Sequence, residues 1–126
     1  VDVPIAQTTD MYGRKKDNRA EKKQFLEALK SKFTEYANYD YPAIILGDFN
    51  LHENAVFKEY LPLFNDILFE VTAKEPTWEN YKIDYIFVNS KMKELIDDSR
   101  IFKPHDTDYS DHKYLYVDIK ENGISF

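Results

Sequence analysis

A short apolar run at residues 43–47 leads directly into the polar side chains of Asp48 and Asn50. A continuous apolar run of this length, followed by turn-forming residues, is typical of a strand that is covered on both faces. Such a strand predicts a sheet inside a layered α/β structure, with the acid and the amide presented at the rim of the sheet.

A helix is predicted immediately before this strand, over residues 19–36. Asn18 and Glu21 have the spacing of a capping box at its start. The apolar side chains that recur at helical spacing are Phe25, Leu26, Leu29, Phe33 and Tyr36. Their periodicity predicts a helix with one buried face, packed against the strand that follows.

The remaining segments show weaker hydrophobic periodicity. Residues 7–16 are predicted as a loop and residues 53–63 as a region with a short helix that ends near Pro62. Strands are predicted at residues 1–5, 67–72, 81–88, 100–103 and 113–119. The chain of 126 residues can bury one core, and we expect residues 1–126 to form a single globular unit of the α/β (α+β) class, with a mixed sheet and flanking helices.

Net charge, cysteine content and the length of apolar runs argue against several classes of function. The net charge of -6 argues against a broad basic face that coats nucleic acid, so an anionic substrate would need a metal cation to supply positive charge. The absence of cysteine excludes thiolate metal sites and leaves the cellular compartment undetermined. No apolar run approaches the roughly 18 residues of a membrane-spanning helix, so no membrane span is expected.

Asp48 and Asn50 are candidate site residues because side chains two apart on extended backbone leave the same face. A carboxylate can activate water while an amide holds a phosphoryl oxygen. The alternative is a simple turn, since Asp and Asn favour strand ends through local backbone hydrogen bonds.

Asp84 interrupts an otherwise apolar strand, and a buried carboxylate requires a partner. We expect that partner to be His112, with Asp84 orienting the imidazole. The alternatives are an Asp84 bonded to backbone amides and an Asp111-His112 pair that is ordinary loop surface.

Three motifs in this order resemble the endonuclease/exonuclease/phosphatase superfamily of DNase-like and exonuclease-like metal-dependent phosphoesterases. They are Gly47-Asp48-Phe49-Asn50, then Glu75-Pro76-Thr77-Trp78 followed by Lys82-Ile83-Asp84-Tyr85, then Ser110-Asp111-His112. The resemblance covers residues 43–119. It implies half of a two-sheet, four-layer α/β sandwich of the DNase-like type.

The resemblance also implies roles for individual residues. Asp48 would orient the attacking water, Asn50 would hold the substrate phosphate, and Asp84 would orient His112, which would stabilise the transition state or act as a general acid. Asp111, together with Asp48, would bind Mg²⁺ or Mn²⁺. The substrate would be nucleic acid, a phosphorylated small molecule or a lipid head group.

In that family an amino-terminal half supplies an asparagine and a metal-binding glutamate, for which this sequence has no counterpart. We therefore expect weak metal binding and weak or absent activity, as in the carboxy-terminal half of such a domain. The alternatives are a non-catalytic remnant or phosphate-binding module, and self-association or pairing with the missing half to complete the sandwich.

Further substrate contacts are predicted from charge and aromaticity. Arg14 and Arg19 belong to a basic stretch that could attract phosphate, although a solvated loop balanced by nearby acids explains the same charges. Trp78 stands in the segment before Asp84 and could stack on a base or sugar, where core packing is the plainer explanation.

Overall fold

The computed structural model describes residues 1–98 and 102–120. Its helices and strands are, in chain order, β1 (Gln7–Thr9), β2 (Lys15–Asp17), α1 (Arg19–Ala37), β3 (Ile44–Asp48), α2 (Tyr60–Ile67), β4 (Phe69–Glu70), β5 (Asp84–Val88) and α3 (Ser90–Lys93). Across these two ranges the strands form two small antiparallel sheets in place of the predicted mixed sheet, and the predicted α+β class is confirmed.

The larger sheet has the strand order β3-β5-β4, with both pairs antiparallel. Its register runs from Ile44 opposite Val88 to Asp48 opposite Asp84. Residues 1–5 do not form the predicted strand. They contact the sheet through one isolated parallel bridge between Asp2 and Asp48. This register brings the two acidic strand ends side by side at one edge of the sheet.

Successive residues of a strand point to opposite faces, and β5 is buried on both. Tyr85 and Phe87 join Ile45 in a core under α1 and α2, whereas Ile86 and Val88 pack into a second cluster with Met92, Ile96 and Phe102. The prediction that β3 is covered on both faces is wrong, because Ile44 and Leu46 are 40% and 52% exposed. β3 is one of the two edge strands, and the second cluster covers the central strand β5 instead.

Helix α1 agrees with its predicted bounds, but the predicted capping box does not form. Asn18 makes no side-chain cap, and its amide instead donates to the Oγ1 atom of Thr8 in β1. Phe25 is partly exposed, contrary to expectation. The buried residues of the helix are Leu26, Leu29, Phe33 and, unexpectedly, Lys22. The apolar face of α1 therefore carries a cation at its amino-terminal end.

The loop predicted over residues 7–16 is wrong, because it folds as the β1–β2 hairpin. Its turn is held by Asp10, whose Oδ1 atom accepts the backbone N–H groups of Tyr12 and Arg14. Gly13 has a φ of +77°, which glycine adopts without steric cost. The polar composition of both strands conceals the hairpin from periodicity arguments.

The short helix lies later than predicted, because α2 begins at Tyr60 and contains Pro62 in its first turn. Proline fits the first turn of a helix, where backbone N–H groups have no intrahelical acceptor. Pro62 therefore lies near the start of a helix that extends to Ile67, and the predicted end of the helix at this proline is wrong.

The predicted strands at residues 67–72 and 81–88 contain β4 and β5, which are shorter. Residues 113–119 form isolated bridges at Tyr114 and Ile119 instead of the predicted strand. In the predicted strand at residues 100–103, Phe102 and Lys103 are not in a strand and the other two residues lie outside the described residues. Among the described helices, none has the length and apolar character needed to cross a bilayer.

Candidate functional site

Three side chains, Asp48, Asp84 and His112, meet at the edge of the sheet. Asp48 ends β3, Asp84 begins β5, and His112 approaches from the carboxy-terminal segment. The Nδ1 atom of His112 lies 2.8 Å from Oδ2 of Asp84, and its Nε2 atom lies 3.9 Å from Oδ2 of Asp48. The predicted contact between Asp84 and His112 is present.

The imidazole of His112 lies between two carboxylates, one in hydrogen-bond contact and one farther away. An ionised carboxylate only accepts hydrogen bonds, so the short contact places a proton on Nδ1 and directs Nε2 towards Asp48. The 3.9 Å gap is too long for a direct hydrogen bond, and one oxygen atom of a water or a phosphoryl group could contact both sides. The three groups are thus an oriented Asp84–His112 pair that faces a second carboxylate.

Thr77 fixes the position of Asp84, a role that we did not predict. The side chain is fully buried, and its Oγ1 atom accepts the backbone N–H groups of Ile83 and Asp84 at 3.1 Å each. The carbonyl of Thr77 accepts the N–H of Lys113 at 2.7 Å, directly after His112. One residue therefore ties the start of β5 to the segment that carries the histidine.

Charge at the site favours a protonated imidazole. Partial burial alone would disfavour the imidazolium, but the hydrogen bond to Asp84 and the charges of Asp84, Asp48 and Asp111 outweigh it and raise the pKa of His112 above 6.5. Burial and the nearby charge of Asp84 also raise the pKa of Asp48 above 3.8, against the opposing effects of the Asn50 N–H group and His112. These charges therefore favour the imidazolium form of His112.

Asp48 and Asn50 also form the local turn that was the alternative to a functional site. The Oδ1 atom of Asp48 accepts the backbone N–H of Asn50 at 2.8 Å, and Asn50 has a φ of +46°. Its side-chain amide donates to the carbonyl of Val3 at 2.6 Å. The turn uses Oδ1 of Asp48 and leaves Oδ2 on the side of His112.

Gly47 allows the amino-terminal segment to pass against this turn. It has a φ of +142°, and a Cβ atom there would lie 2.0 Å from the carbonyl oxygen of Val1. The N–H of Asp48 donates to Val1, and the carbonyl of Asp48 accepts the N–H of Val3. The glycine of the Gly-Asp-Phe-Asn motif is thus required by backbone contact beside Asp48.

Asp111 was predicted as a metal ligand, but it is not one of the three grouped side chains. Its Oδ2 atom accepts the indole N–H of Trp78 at 3.2 Å. The structure groups Asp84, and not Asp111, with Asp48 and His112. Trp78 is partly exposed and its ring centroid lies 6.5 Å from that of His112, so it lies beside the site, and its predicted contact with substrate stays a prediction.

Arg14 and Arg19 lie on the hairpin and at the start of α1, where each pairs with a neighbouring acid. Arg14 contacts Asp10 at 2.7 Å and Arg19 contacts Asp17 at 2.8 Å, with all four side chains exposed. These pairs match the alternative of a solvated, balanced loop. The structure does not bring either guanidinium into contact with the site.

Lys22 is a neighbour of the site that sequence reasoning missed. It is 2% exposed, and its Nζ atom donates to the carbonyl of Asn50 at 2.7 Å. Burial lowers the pKa of Lys22, while the charge of Asp48 acts in the opposite direction. A signal was present, because Lys22 is in helical register with the buried Leu26 and Leu29.

The donor atoms of the site fit a metal only in part. Oδ2 of Asp84 and Nδ1 of His112 contact each other, and Nε2 of His112 can bind a metal only when it carries no proton. Magnesium prefers oxygen ligands, whereas an imidazole nitrogen suits transition metals better. The three grouped side chains could therefore hold a cation only loosely.

Comparisons of this chain with known protein families, with curated proteins and with solved structures found no match.

Proposed function

We propose that the protein is a metal-dependent phosphoesterase that hydrolyses phosphodiester or phosphomonoester bonds, as a nuclease or a phosphatase. The observation that carries the proposal is the hydrogen bond between Asp84 and Nδ1 of His112. It turns the Nε2 atom of His112 towards Oδ2 of Asp48, 3.9 Å away. In this arrangement Asp48 accepts a proton from the attacking water. The Nε2 atom of His112 then donates its proton to the leaving oxygen or stabilises charge that grows on the phosphoryl group.

Asp48 and, by the sequence resemblance, Asp111 would hold Mg²⁺ or Mn²⁺. A metal bound there would polarise the phosphoryl group and neutralise its charge. Binding would be weak, because Oδ1 of Asp48 is used by the Asn50 turn and Oδ2 of Asp111 by the indole of Trp78. We accordingly propose low activity, with Asn50 and Trp78 as the substrate contacts nearest to the centre.

The proposal extends to the fold. The sheet β3-β5-β4, with α1 and α2 on one face, would correspond to one of the two sheets of a four-layer DNase-like sandwich. The exposed Ile44 and Leu46 on its other face support this correspondence, since a second sheet would cover them. Such a cover could come from self-association or from a separate half, and sedimentation that shows a well-folded monomer would argue against both.

Release of 4-nitrophenolate from bis(4-nitrophenyl) phosphate, measured against rising Mg²⁺ or Mn²⁺, tests the proposed activity. We expect metal-dependent release that falls by about 100-fold in Asp48→Asn, since loss of a general base typically costs that much. Asp40→Asn is the matched control, because Asp40 is an exposed acid away from the site. Metal-independent release, or equal rates in the two variants, would refute the proposal.

The alternative function is a non-catalytic remnant or phosphate-binding module. It draws support from the engagement of Oδ1 of Asp48 by the Asn50 turn and of Oδ2 of Asp111 by the indole of Trp78, which leaves fewer carboxylate oxygens for a metal. The same experiment separates the two functions. A binding module would show saturable phosphate binding, with no 4-nitrophenolate release at any metal concentration.

A further inference from the structure

The side chain of Lys22 lies in an unusual environment for a lysine. It is 2% exposed and belongs to the buried face of α1, together with Leu26, Leu29 and Phe33. A buried ammonium is costly unless a partner compensates it. Within residues 1–98 and 102–120, its hydrogen-bond acceptor is the carbonyl of Asn50, and no carboxylate oxygen forms a salt bridge with it. The carbonyl of Asn50 therefore supplies the hydrogen bond that compensates the buried ammonium.

Asn50 is restrained from three directions. Its N–H donates to Asp48 at 2.8 Å, its side-chain amide donates to Val3 at 2.6 Å, and its carbonyl accepts from Lys22 at 2.7 Å. Its φ of +46° lies in the left-handed region, which asparagine tolerates better than most residues but does not prefer. The hydrogen bond from Lys22 helps to hold this conformation.

We propose that Lys22 is a positioning residue of the site: it locks Asn50 in the left-handed turn so that the amide can hold a phosphoryl oxygen, and it places a positive charge behind the Asp48–Asn50 turn. The asparagine amide has two N–H groups, and the contact with Val3 uses one of them. The other has no acceptor among residues 1–98 and 102–120, and in the proposal it donates to the phosphoryl oxygen. The role of Asn50 in this inference rests on the proposed phosphoesterase function, whereas the hold of Lys22 on Asn50 rests on the geometry.

The charge of Lys22 has a second consequence at an acidic centre. Asp48, Asp84 and Asp111 lie around His112, and the chain as a whole has a net charge of -6. A phosphate anion would be repelled by these carboxylates, and a fixed ammonium near Asp48 reduces that repulsion. Lys22 differs in this respect from Arg14 and Arg19, whose charges are neutralised by acids of their own segment.

The inference is tested with Lys22→Met, which keeps the length of the buried side chain and removes its charge and its N–H donors. Lys22→Arg restores a positive donor, and Lys23→Met removes the same charge from the exposed neighbouring position of α1. NMR spectra of the full chain report the backbone and side-chain amides of Asn50 and their shifts on titration with inorganic phosphate. Hydrolysis of bis(4-nitrophenyl) phosphate gives KM and kcat separately.

In Lys22→Met we expect the Asn50 amide signals to move and phosphate to bind about tenfold more weakly, the loss expected for one hydrogen bond to a charged group. KM should rise more than kcat falls, Lys22→Arg should recover most of the affinity, and Lys23→Met should resemble the wild type. Unfolding midpoints measured in parallel show whether Lys22→Met remains folded. If it does not, Lys22→Arg is compared with Lys23→Met. Asn50 signals and a phosphate affinity close to those of Lys23→Met support the proposal, and a lost phosphate affinity in a folded Lys22→Arg overturns it.

Unchanged Asn50 signals and unchanged phosphate affinity in a folded Lys22→Met would overturn the inference while leaving the phosphoesterase proposal intact. The converse failure is distinguishable. Wild-type protein that neither binds phosphate nor hydrolyses the diester would refute the proposed function, and it would reduce Lys22 to a structural contact even if the Asn50 signals move in Lys22→Met.

Discussion

Asp84 and His112 are separated by 28 positions in the chain, and Oδ2 of Asp84 lies 2.8 Å from Nδ1 of His112. The two side chains reach each other because Thr77 binds the backbone of β5 through its hydroxyl and the segment after His112 through its carbonyl. A partly buried acid at a strand end and a histidine on a distant segment thus form a defined pair. The proposed proton transfer by His112 depends on this pair.

The first prediction concerns Asp84→Asn, which removes the charge that stabilises the His112 imidazolium. We expect the pKa of His112 to fall towards or below 6.5, as followed by NMR titration of the imidazole protons. His52 is the internal reference, because its ring stacks on that of Tyr81 and its pKa is lowered by burial and by the charge of Lys22, not by Asp84. A His112 pKa that is unchanged in Asp84→Asn would contradict the assigned pairing.

The same substitution affects stability in a pH-dependent way. The pKa of His112 is raised in the folded state, so its pairing contributes fully below the unfolded value of about 6.5 and is lost as pH rises through the folded value. Asp84→Asn should therefore lower the free energy of unfolding most near pH 6, by about 2 kcal/mol, and less at higher pH. Urea unfolding at pH 6 and pH 9 measures the difference. An equal loss at both pH values would exclude a contribution from the imidazolium.

Thr77→Val should destabilise the protein by about 2 to 3 kcal/mol, since it leaves the buried N–H groups of Ile83 and Asp84 without their acceptor. Thr77→Ser is the control, because serine keeps the hydroxyl. Urea unfolding at a single pH distinguishes them. The assigned role of Thr77 requires the serine variant to be clearly more stable than the valine variant.

Gly47→Ala should cost more stability than Gly13→Ala. Both glycines have positive φ, but a Cβ atom at Gly47 would overlap the backbone of Val1, whereas the space around Gly13 is open. We expect about 1 kcal/mol for Gly13→Ala and a larger loss for Gly47→Ala. Thermal unfolding of the two variants compares them, and equal costs would show that Val1 does not pack against Gly47 in solution.

Phe33→Ala should cost about 3 to 5 kcal/mol, as expected for removal of a fully buried aromatic side chain. Its ring contacts those of Phe49, Phe64 and Phe87 at centroid distances of 6.2, 4.4 and 5.0 Å. Phe25→Ala on the same helix should cost much less, because Phe25 is 38% exposed. Denaturant unfolding measures the loss of stability in both variants. A larger loss in Phe25→Ala than in Phe33→Ala would show that α1 packs through a different face.

Local pattern in the sequence predicted the elements whose stability depends on periodic burial. Helix α1 follows its apolar spacing closely, and β5 lies within the predicted strand because its apolar residues are continuous. The Asp84–His112 contact was also predictable, because a carboxylate in an apolar strand requires a partner. Lys22 could have been found by the same reasoning, had its register with Leu26 and Leu29 been weighed.

Other features depend on partners that are distant in the sequence. The β1–β2 hairpin has polar strands, and its turn depends on Asp10 side-chain contacts that alternation does not reveal. Leu46 is exposed because the second cluster covers β5 and does not bury this face of β3, which the sequence of a single strand cannot indicate. The engagement of Asp111 by Trp78 depends on two segments whose meeting has no periodic signal.

The most direct test of the proposed site is the pH dependence of kcat for bis(4-nitrophenyl) phosphate hydrolysis with saturating Mn²⁺. Activity should rise as Asp48 ionises and fall as His112 loses its proton, which gives a bell-shaped profile. In Asp84→Asn the descending limb should move to lower pH, in step with the lowered pKa of His112. A descending limb that stays in place in Asp84→Asn, or the absence of metal-dependent hydrolysis by the wild type at any pH, would contradict the proposal.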